Sequence, residues 1–464
     1  MTDIRRRTGL WLILALAFAL VAVACGGGAE EPGAEPATTE AITETTEAIT
    51  DTTGTTAAGT TETTAGAAGE LGEVTVAEGQ PIEIATIQTI SGGTASLGQD
   101  QVTATEIAIE DRDSELLGHP IELQVEDGLC SADGGTTAAQ KIVSDPQVIG
   151  IIGTSCSGAG VPASQIMSQA GLVMISGSNT SPSLTALPYL ADDPLEAQEN
   201  WQEGYFRTAH NDEFQGHGAA QFAFEQLGAQ RAVTVHDGDP YTEGLTGQFG
   251  EFFRQFGGEI VLATAINKGD TDMRPLLTTA ASAQPHIVFM PIFQPEADFI
   301  VQQRTEFPEL QDVTFMGADG LLSDTFVTLP DTEGMYFSGP AVEQEGAAYD
   351  EFVAKYEEKA GQPPIQAFHA HAYDATNILL DAIEAVAEEQ DGGLVIDRQA
   401  LRDYIYDLEG FEGLTGTLSC NQFGDCAQPR IGVYLNEDPS GGITAVVLNA
   451  VFTSSPEVPE EKLQ

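Results

Sequence analysis

The sequence predicts an α/β fold of two Rossmann-like lobes, each a parallel sheet covered by helices, joined by a hinge. Two observations carry this. After Gln80, short β-branched runs alternate with longer amphipathic stretches, the βαβα order of parallel strands with helices on both faces. That order runs through two series of similar length, broken at 187–203 by an irregular acidic segment containing Trp201. At roughly 150 residues per domain, 464 residues leave room for both lobes. Ligands in such sheets lie beyond the carboxyl ends of the strands, so the cleft between lobes is the expected site.

Strands are expected over 82–90, 121–126, 148–152, 172–176, 232–236, 259–265, 286–291 and 313–317. Helices are expected to begin near Leu97, Gly135, Val161, Asp212, Tyr241, Thr271, Glu296, Tyr349, Phe368 and Asp397. The expected division places 80–203 with 340–425 in lobe 1, 204–339 with 426–451 in lobe 2, and 452–464 in a disordered tail.

Upstream lies export machinery. Arg5, Arg6 and Arg7 precede an apolar run over 10–23 and then Ala24-Cys25-Gly26, the charged region, apolar region and small-residue cleavage site of a signal peptide over 1–24. The run is shorter than the ~20 residues that span a bilayer. The segment resembles a bacterial lipoprotein signal, which implies lipidation of Cys25; Ala22 departs from the usual Leu or Val. Residues 25–79 are mostly Thr, Ala, Gly and Glu, too poor in apolar surface to fold, and are expected to form a disordered tether reaching on the order of 40 Å.

The four remaining cysteines, an even number outside the cell, read as two disulfides. Of three pairings, Cys420–Cys426 joins the ends of a turn-like loop, leaving Cys130–Cys156. No zinc spacing is present. A calcium loop between Cys420 and Cys426 offers two obvious side-chain oxygens where six to eight are needed. His369-x-His371 places its imidazoles on different helix faces, so no metal is expected and these histidines are assigned to surface or hinge contacts.

Asp and Glu total 71 against 17 Lys and Arg, a net charge of −54. Phosphate binding needs clustered cations, so nucleic acid is excluded as a partner. Without residues 1–24 the balance is 70 acidic to 14 basic, a charge of −56. That field opposes free anions and favours a zwitterion or a neutral amide.

The most informative stretch is 150–163, a buried strand entering a Gly-rich turn that opens a helix, where free N–H groups and the helix dipole attract an anion. Gly153-x-Ser155-x-Ser157 lacks the second Gly of a nucleophile elbow. Gly158-x-Gly160-x-x-Ala163 contains Pro162 and lacks the acidic partner of a dinucleotide site. Carboxylate binding by Ser157 and the turn amides remains the better reading, beside a turn that merely packs closely. The polar turn 176–182 lies at the same sheet edge.

Residues 151–185, with Cys156-Ser157, Met174-Ile175-Ser176 and Thr180-Ser181-Pro182-Ser183-Leu184-Thr185, resemble the branched-chain amino-acid binding proteins of ABC transporters. Tyr205-Phe206-Arg207-Thr208 with Asp212 and Gln215-Gly216, Val235-His236-Asp237 with Tyr241 and Glu243-Gly244, 315–320, and Phe368 with 372–375 extend the resemblance in order over roughly 82–450. It implies a type I periplasmic binding fold that closes on an amino acid, with no cofactor and no enzymatic activity. Ser157 and Thr180 fall where the family holds the ligand carboxylate, and Ser178 offers a backbone contact. Asp319 falls where it holds the ammonium, and Tyr241 where an aromatic closes from lobe 2. Leu97 and Phe293 replace frequent aromatics and, with Phe368, suggest an apolar side-chain pocket. The reading is a monomeric, lipid-anchored extracytoplasmic receptor delivering a branched-chain or related apolar amino acid to an ABC permease. A sensor for a membrane receptor, or a binder of amides, urea or aromatic acids, is the alternative.

Overall fold

In a computed structural model the described residues are 71–185, 199–341, 346–428 and 430–456. The signal peptide, Cys25, most of the expected tether and residues 457–464 lie outside them.

In chain order the elements are β1 (Glu73–Val76), β2 (Ile82–Gln88), α1 (Ala95–Glu110), β3 (Glu115–Leu116), β4 (His119–Asp127), α2 (Ala132–Val143), β5 (Val148–Gly153), α3 (Ser157–Gln169), β6 (Val173–Ser176) and β7 (Tyr205–Arg207). Then come α4 (Asp212–Gln221), β8 (Arg231–His236), α5 (Pro240–Gln255), β9 (Glu259–Ala265), α6 (Arg274–Ala283), β10 (Ile287–Phe289), α7 (Glu296–Gln303), β11 (Thr314–Gly317), α8 (Asp324–Val327) and β12 (Tyr336–Pro340). The chain continues through α9 (Ala347–Ala360), α10 (His369–Val386), β13 (Glu388–Gln390), β14 (Gly393–Asp397), α11 (Arg398–Tyr406), β15 (Phe411–Gly413), β16 (Gly416–Leu418), β17 (Ile431–Leu435), α12 (Gly442–Leu448) and β18 (Ala450–Ser454).

Lobe 1 is a sheet of order β3-β4-β2-β5-β6-β7, parallel except at β3. Residues of α2 and α3 pack on one face, where Ala138, Ala163 and Met167 meet Ile87 and Ile151. On the other, Ile378, Leu379 and Ile383 of α10 meet Ile149 and Ile152. Lobe 2 has the order β18-β17-β12-β11-β10-β8-β9, parallel except at β17, which runs antiparallel to both its neighbours β12 and β18. Its faces are covered by aromatic-rich α4 and α5 and by α6, α7 and α12. Every strand and helix expected above is found, with ends shifted by a few residues.

Three boundaries differ from expectation. Residues 73–76 are not tether: Val74 and Val76 are buried while Glu73 and Thr75 are exposed, and the alternation pairs β1 with β14 antiparallel. Tyr205–Arg207 belongs to lobe 1, because β7 pairs with β6. Residues 452–454 are not tail but part of β18. The crossovers therefore fall near 208–211, at 341 and near 427–430. Both expected disulfides are formed. Cys130–Cys156, with a sequence separation of 26, ties α2's N-terminal loop to the start of α3. Closing such a loop contributes roughly 3–4 kcal/mol in the chain-entropy model.

Candidate functional site

The lobe 1 wall is a set of turns at the carboxyl ends of β2, β5 and β6. Gly153 ends β5 with φ +132°, and a Cβ there falls 2.3 Å from the Ile87 carbonyl oxygen, so only glycine lets β5 pass β2 and release the turn. Cys156 then N-caps α3, and Ser157 is its first residue. Ser157 Oγ accepts from the Ser181 N–H at 3.2 Å, which leaves its own O–H to donate. Ser178 Oγ lies 2.9 Å from the Ser155 carbonyl oxygen and 2.9 Å from Gln101 Nε2. Ser155 Oγ donates to Gln88 Oε1 at 2.5 Å and accepts from the Thr89 N–H at 3.0 Å. Side-chain bonds join the two turns: Ser176 Oγ donates to the Thr154 carbonyl at 2.9 Å and Asn179 Nδ2 to the same oxygen at 2.8 Å. This wall carries no charge of its own.

The lobe 2 wall is acidic. Asp319 follows β11 and is buried; its Oδ1 accepts from Gln215 Nε2 at 2.5 Å and from the Tyr241 hydroxyl at 3.1 Å. Burial raises its pKa to about 6, against those hydrogen bonds. Tyr241 Oη also accepts from the Gly320 N–H at 3.2 Å, and its ring lies 5.2 Å from that of Phe293. Burial, then the charges of Asp319 and Asp212, push this phenol well above its usual range. Asp239 caps α5 through the Tyr241 N–H at 3.1 Å and pairs with Lys268 Nζ at 3.1 Å. Burial raises the Asp239 pKa while Lys268 opposes the rise.

Between the walls lies a cavity of about 10 Å³, room for about one water molecule. It is lined by Leu97, Ser157, Ser178, Tyr241, Phe293, Asp319 and Phe368, seven of the eight residues singled out from sequence, with Ser155, Cys156 and Gly320 added. Thr180 sits behind this lining, 1% exposed, with its Oγ1 lacking a hydrogen-bond partner. Lobe 2 presses on lobe 1 across the cleft: a Cβ on Gly158 falls 2.4 Å from Asp239 Oδ2, and one on Gly244 falls 3.0 Å from Pro182. The lobes are closed, and a solute of amino-acid size enters only when they separate. A larger cleft of about 450 Å³, lined by Arg304, Asp312, Phe315 and Glu333, lies on lobe 2 alone and not between the walls.

Sequence reasoning gave no role to Asp212, Gln215 or Asp239. Asp239 precedes a proline at the start of a helix, and its capping signature hid its place on the cleft wall. His369 and His371 are not surface residues: both are 4% exposed. His369 bonds to the Gln366 carbonyl and the Tyr349 hydroxyl, while the His371 ring packs on Phe368. Among the described residues, His210, Asp212 and Asp319 bring ligand-type atoms within 4.8 Å of one another. Hydrogen bonds already occupy part of that set, since Gln215 engages both His210 Nε2 and Asp319 Oδ1, and no metal is assigned to it.

Comparison with known proteins bears on the family and the fold. The family described as periplasmic binding protein matches residues 81–426. The Leu/Ile/Val-binding protein homolog 3 of Brucella melitensis is 24% identical over 77% of this chain and 92% of its own length. The leucine-, isoleucine-, valine-, threonine-, and alanine-binding protein of Pseudomonas aeruginosa is 27% identical over 76% of this chain and 89% of its own. Among solved structures, the leucine binding protein LivK of Thermotoga maritima superposes with a TM-score of 0.66 at 25% identity, covering 77% of this chain and 96% of that one. An ABC transporter solute binding protein of R. palustris in complex with benzoate gives 0.68 at 19% identity, over 82% and 99%, a likeness of fold.

Proposed function

We propose, on the premise that this chain belongs to the periplasmic binding protein family, that it captures an apolar amino acid outside the cytoplasm and delivers it to an ABC permease. The reading rests on one observation: a neutral wall of hydroxyls at the start of α3 faces a wall carrying Asp319 across a single cavity. A zwitterion needs that opposition, hydrogen-bond donors for its carboxylate and a carboxylate for its ammonium. Ser157 and Ser178 serve the first end, and Asp319 with Tyr241 the second. Leu97, Phe293 and Phe368 offer no polar atoms to a side chain, which fits Leu, Ile, Val or Phe. Because the ligand touches both lobes, its binding favours the closed arrangement over the open one. No bond is broken. Benzoate is bound by a protein of similar fold, yet a ligand without a cation leaves Asp319 uncompensated here. In this reading lipidated Cys25 and the tether hold the receptor at the membrane; no described helix is long and apolar enough to cross one.

A thermal-shift screen over amino acids, amides and aromatic acids tests the reading. A ligand at a hundredfold excess over its Kd stabilises by about 2.7 kcal/mol, so branched-chain amino acids raise the Tm. A melting temperature that no member of the panel moves overturns it.

A further inference from the structure

Asp212, the first residue of α4, is entirely buried, and neither of its carboxyl oxygens has a hydrogen-bond partner. Its N–H donates to the Thr180 carbonyl at 2.9 Å, which ties it to the residue expected to hold a ligand carboxylate. The Thr180 hydroxyl, also buried and with no other hydrogen-bond partner, lies beside the acid within its hydrogen-bonding reach. The groups facing Asp212 offset a negative charge only in part: the Thr180 hydroxyl and the Arg207 charge favour it, while burial, Asp319 and Asp239 oppose it. Asp319 lies within 4.8 Å and Asp239 adds a second like charge. Arg207, the cation on this side, is spent on Asp425 and on the carbonyls of Asn179 and Ser181. His210 is neutral, its pKa lowered to about 4 by burial, and the Tyr241 phenol is neutral as well.

An isolated buried carboxylate neutralises rather than bear its desolvation, and two carboxylates this close do not both ionise. Asp319 has two close donors to stabilise its charge; Asp212 has only the Thr180 hydroxyl beside it. The proton therefore resides on Asp212, and its pKa lies well above the usual carboxylate range, from burial first and Asp319 second.

We propose that Asp212 is a neutral carboxylic acid in the working protein, a positioning residue whose O–H donates to Thr180 Oγ1 and so turns the Thr180 hydroxyl hydrogen toward the ligand's carboxylate. Ionised Asp212 accepts that same hydrogen and leaves the ligand facing only oxygen lone pairs, which repel a carboxylate. With Asp239 matched by Lys268, the neutral acid also leaves Asp319 as the lobe 2 charge available to one ammonium. This rests on the amino-acid reading above and adds how one buried acid serves both ends of the zwitterion.

Infrared difference spectroscopy of the full chain at mildly alkaline pH, together with calorimetry using L-leucine, tests it. The expected results are the carbonyl stretch of a protonated carboxyl in the wild-type protein and its loss in Asp212→Asn. L-leucine affinity is weakened in Asp212→Ala, which gives Thr180 no donor, and rescued by Asp212→Asn, whose amide donates to it. Thr180→Val, which does not depend on the folding of an Asp212 variant, weakens L-leucine binding about ten- to hundredfold, the worth of one hydrogen bond to a charged group. A spectrum without the protonated band, a band unchanged in Asp212→Asn, loss of L-leucine binding in that variant, or wild-type affinity in Asp212→Ala or Thr180→Val each overturns the proposal. If the wild-type protein binds neither L-leucine nor any other zwitterion, the amino-acid reading itself fails, whatever the spectrum shows.

Discussion

The two walls of the cleft reach the same degree of burial by opposite chemistry. On lobe 1 the polar groups are hydroxyls and turn amides in a closed network, Ser155 with Gln88, Ser178 with Gln101, and Ser176 and Asn179 with the Thr154 carbonyl. Nothing there titrates, and its affinity for an anion comes from where β5 and β6 stop. On lobe 2, Asp212, Asp239 and Asp319 are buried and all three pKa values are raised. Geometry alone sets the first wall. The second also depends on which acids hold protons, so pH acts on one side of the ligand and not on the other.

Asp319→Ala breaks the acidic side outright. It removes the expected partner of a buried ammonium, a loss of about 2–5 kcal/mol, or roughly thirty- to several-thousandfold in affinity by calorimetry. In the wild type the sign with pH follows from the raised pKa of about 6. Asp319 is ionised above that value and protonated below it, so affinity falls as pH drops through about 6, approaching tenfold per unit. The variant lacks this acid limb. Unchanged affinity in Asp319→Ala places the ammonium elsewhere.

Ser157→Ala probes the opposite wall and produces a smaller, differently shaped effect. Losing one donor to a carboxylate weakens binding by about 1.5–3 kcal/mol, on the order of ten- to hundredfold. The acid limb at about pH 6 persists, because no titrating group has been touched. The substitution also strands the Ser181 N–H, which now donates to Ser157 Oγ, so the Tm of the ligand-free protein drops. A pH profile altered by Ser157→Ala shows that the walls are coupled where the comparison holds them separate.

The same contrast explains what was legible in the sequence. The lobe 1 wall is local: a strand, a Gly-rich turn and a helix start lie within 148–163, and the Ser-rich turn follows the next strand, so spacing alone brings the two turns together, while the resemblance singled out Ser178 within the second. The lobe 2 wall is assembled from α4, the start of α5 and the end of β11, which are separated by tens of residues. Tyr241 and Asp319 were identified through a family resemblance, whereas Asp212 and Gln215 belonged to the same matched segment and received no role. Burial is what distinguishes Asp212 from any other acid in the first turn of a helix, where acids are common, and burial follows from tertiary packing. The elements the sequence reading missed have a related cause. β1, β7, β12, β14, β17 and β18 among them are strands of three to five residues, too short to show a long periodic run.

Gly158→Ala tests the seam rather than either wall. Gly158 lies in the first turn of α3 and Asp239 caps α5, so their contact is made between lobes, with Asp239 Oδ2 2.4 Å from where the alanine Cβ falls. Alanine suits a helix, so the isolated lobe 1 is not harmed and the Tm of the ligand-free protein stays near wild type. The strain appears only on closing. Asp239 cannot retreat freely, because its other oxygen caps α5 and Lys268 holds Oδ2. Overpacking of this kind costs about 1–3 kcal/mol, which lowers affinity about five- to hundredfold and shifts the ligand-free protein toward the open form. Small-angle scattering reads the second effect as a larger radius of gyration, and calorimetry the first. Wild-type affinity and radius in Gly158→Ala mean that Asp239 swings clear of α3 and that the Gly158 contact does not limit closure.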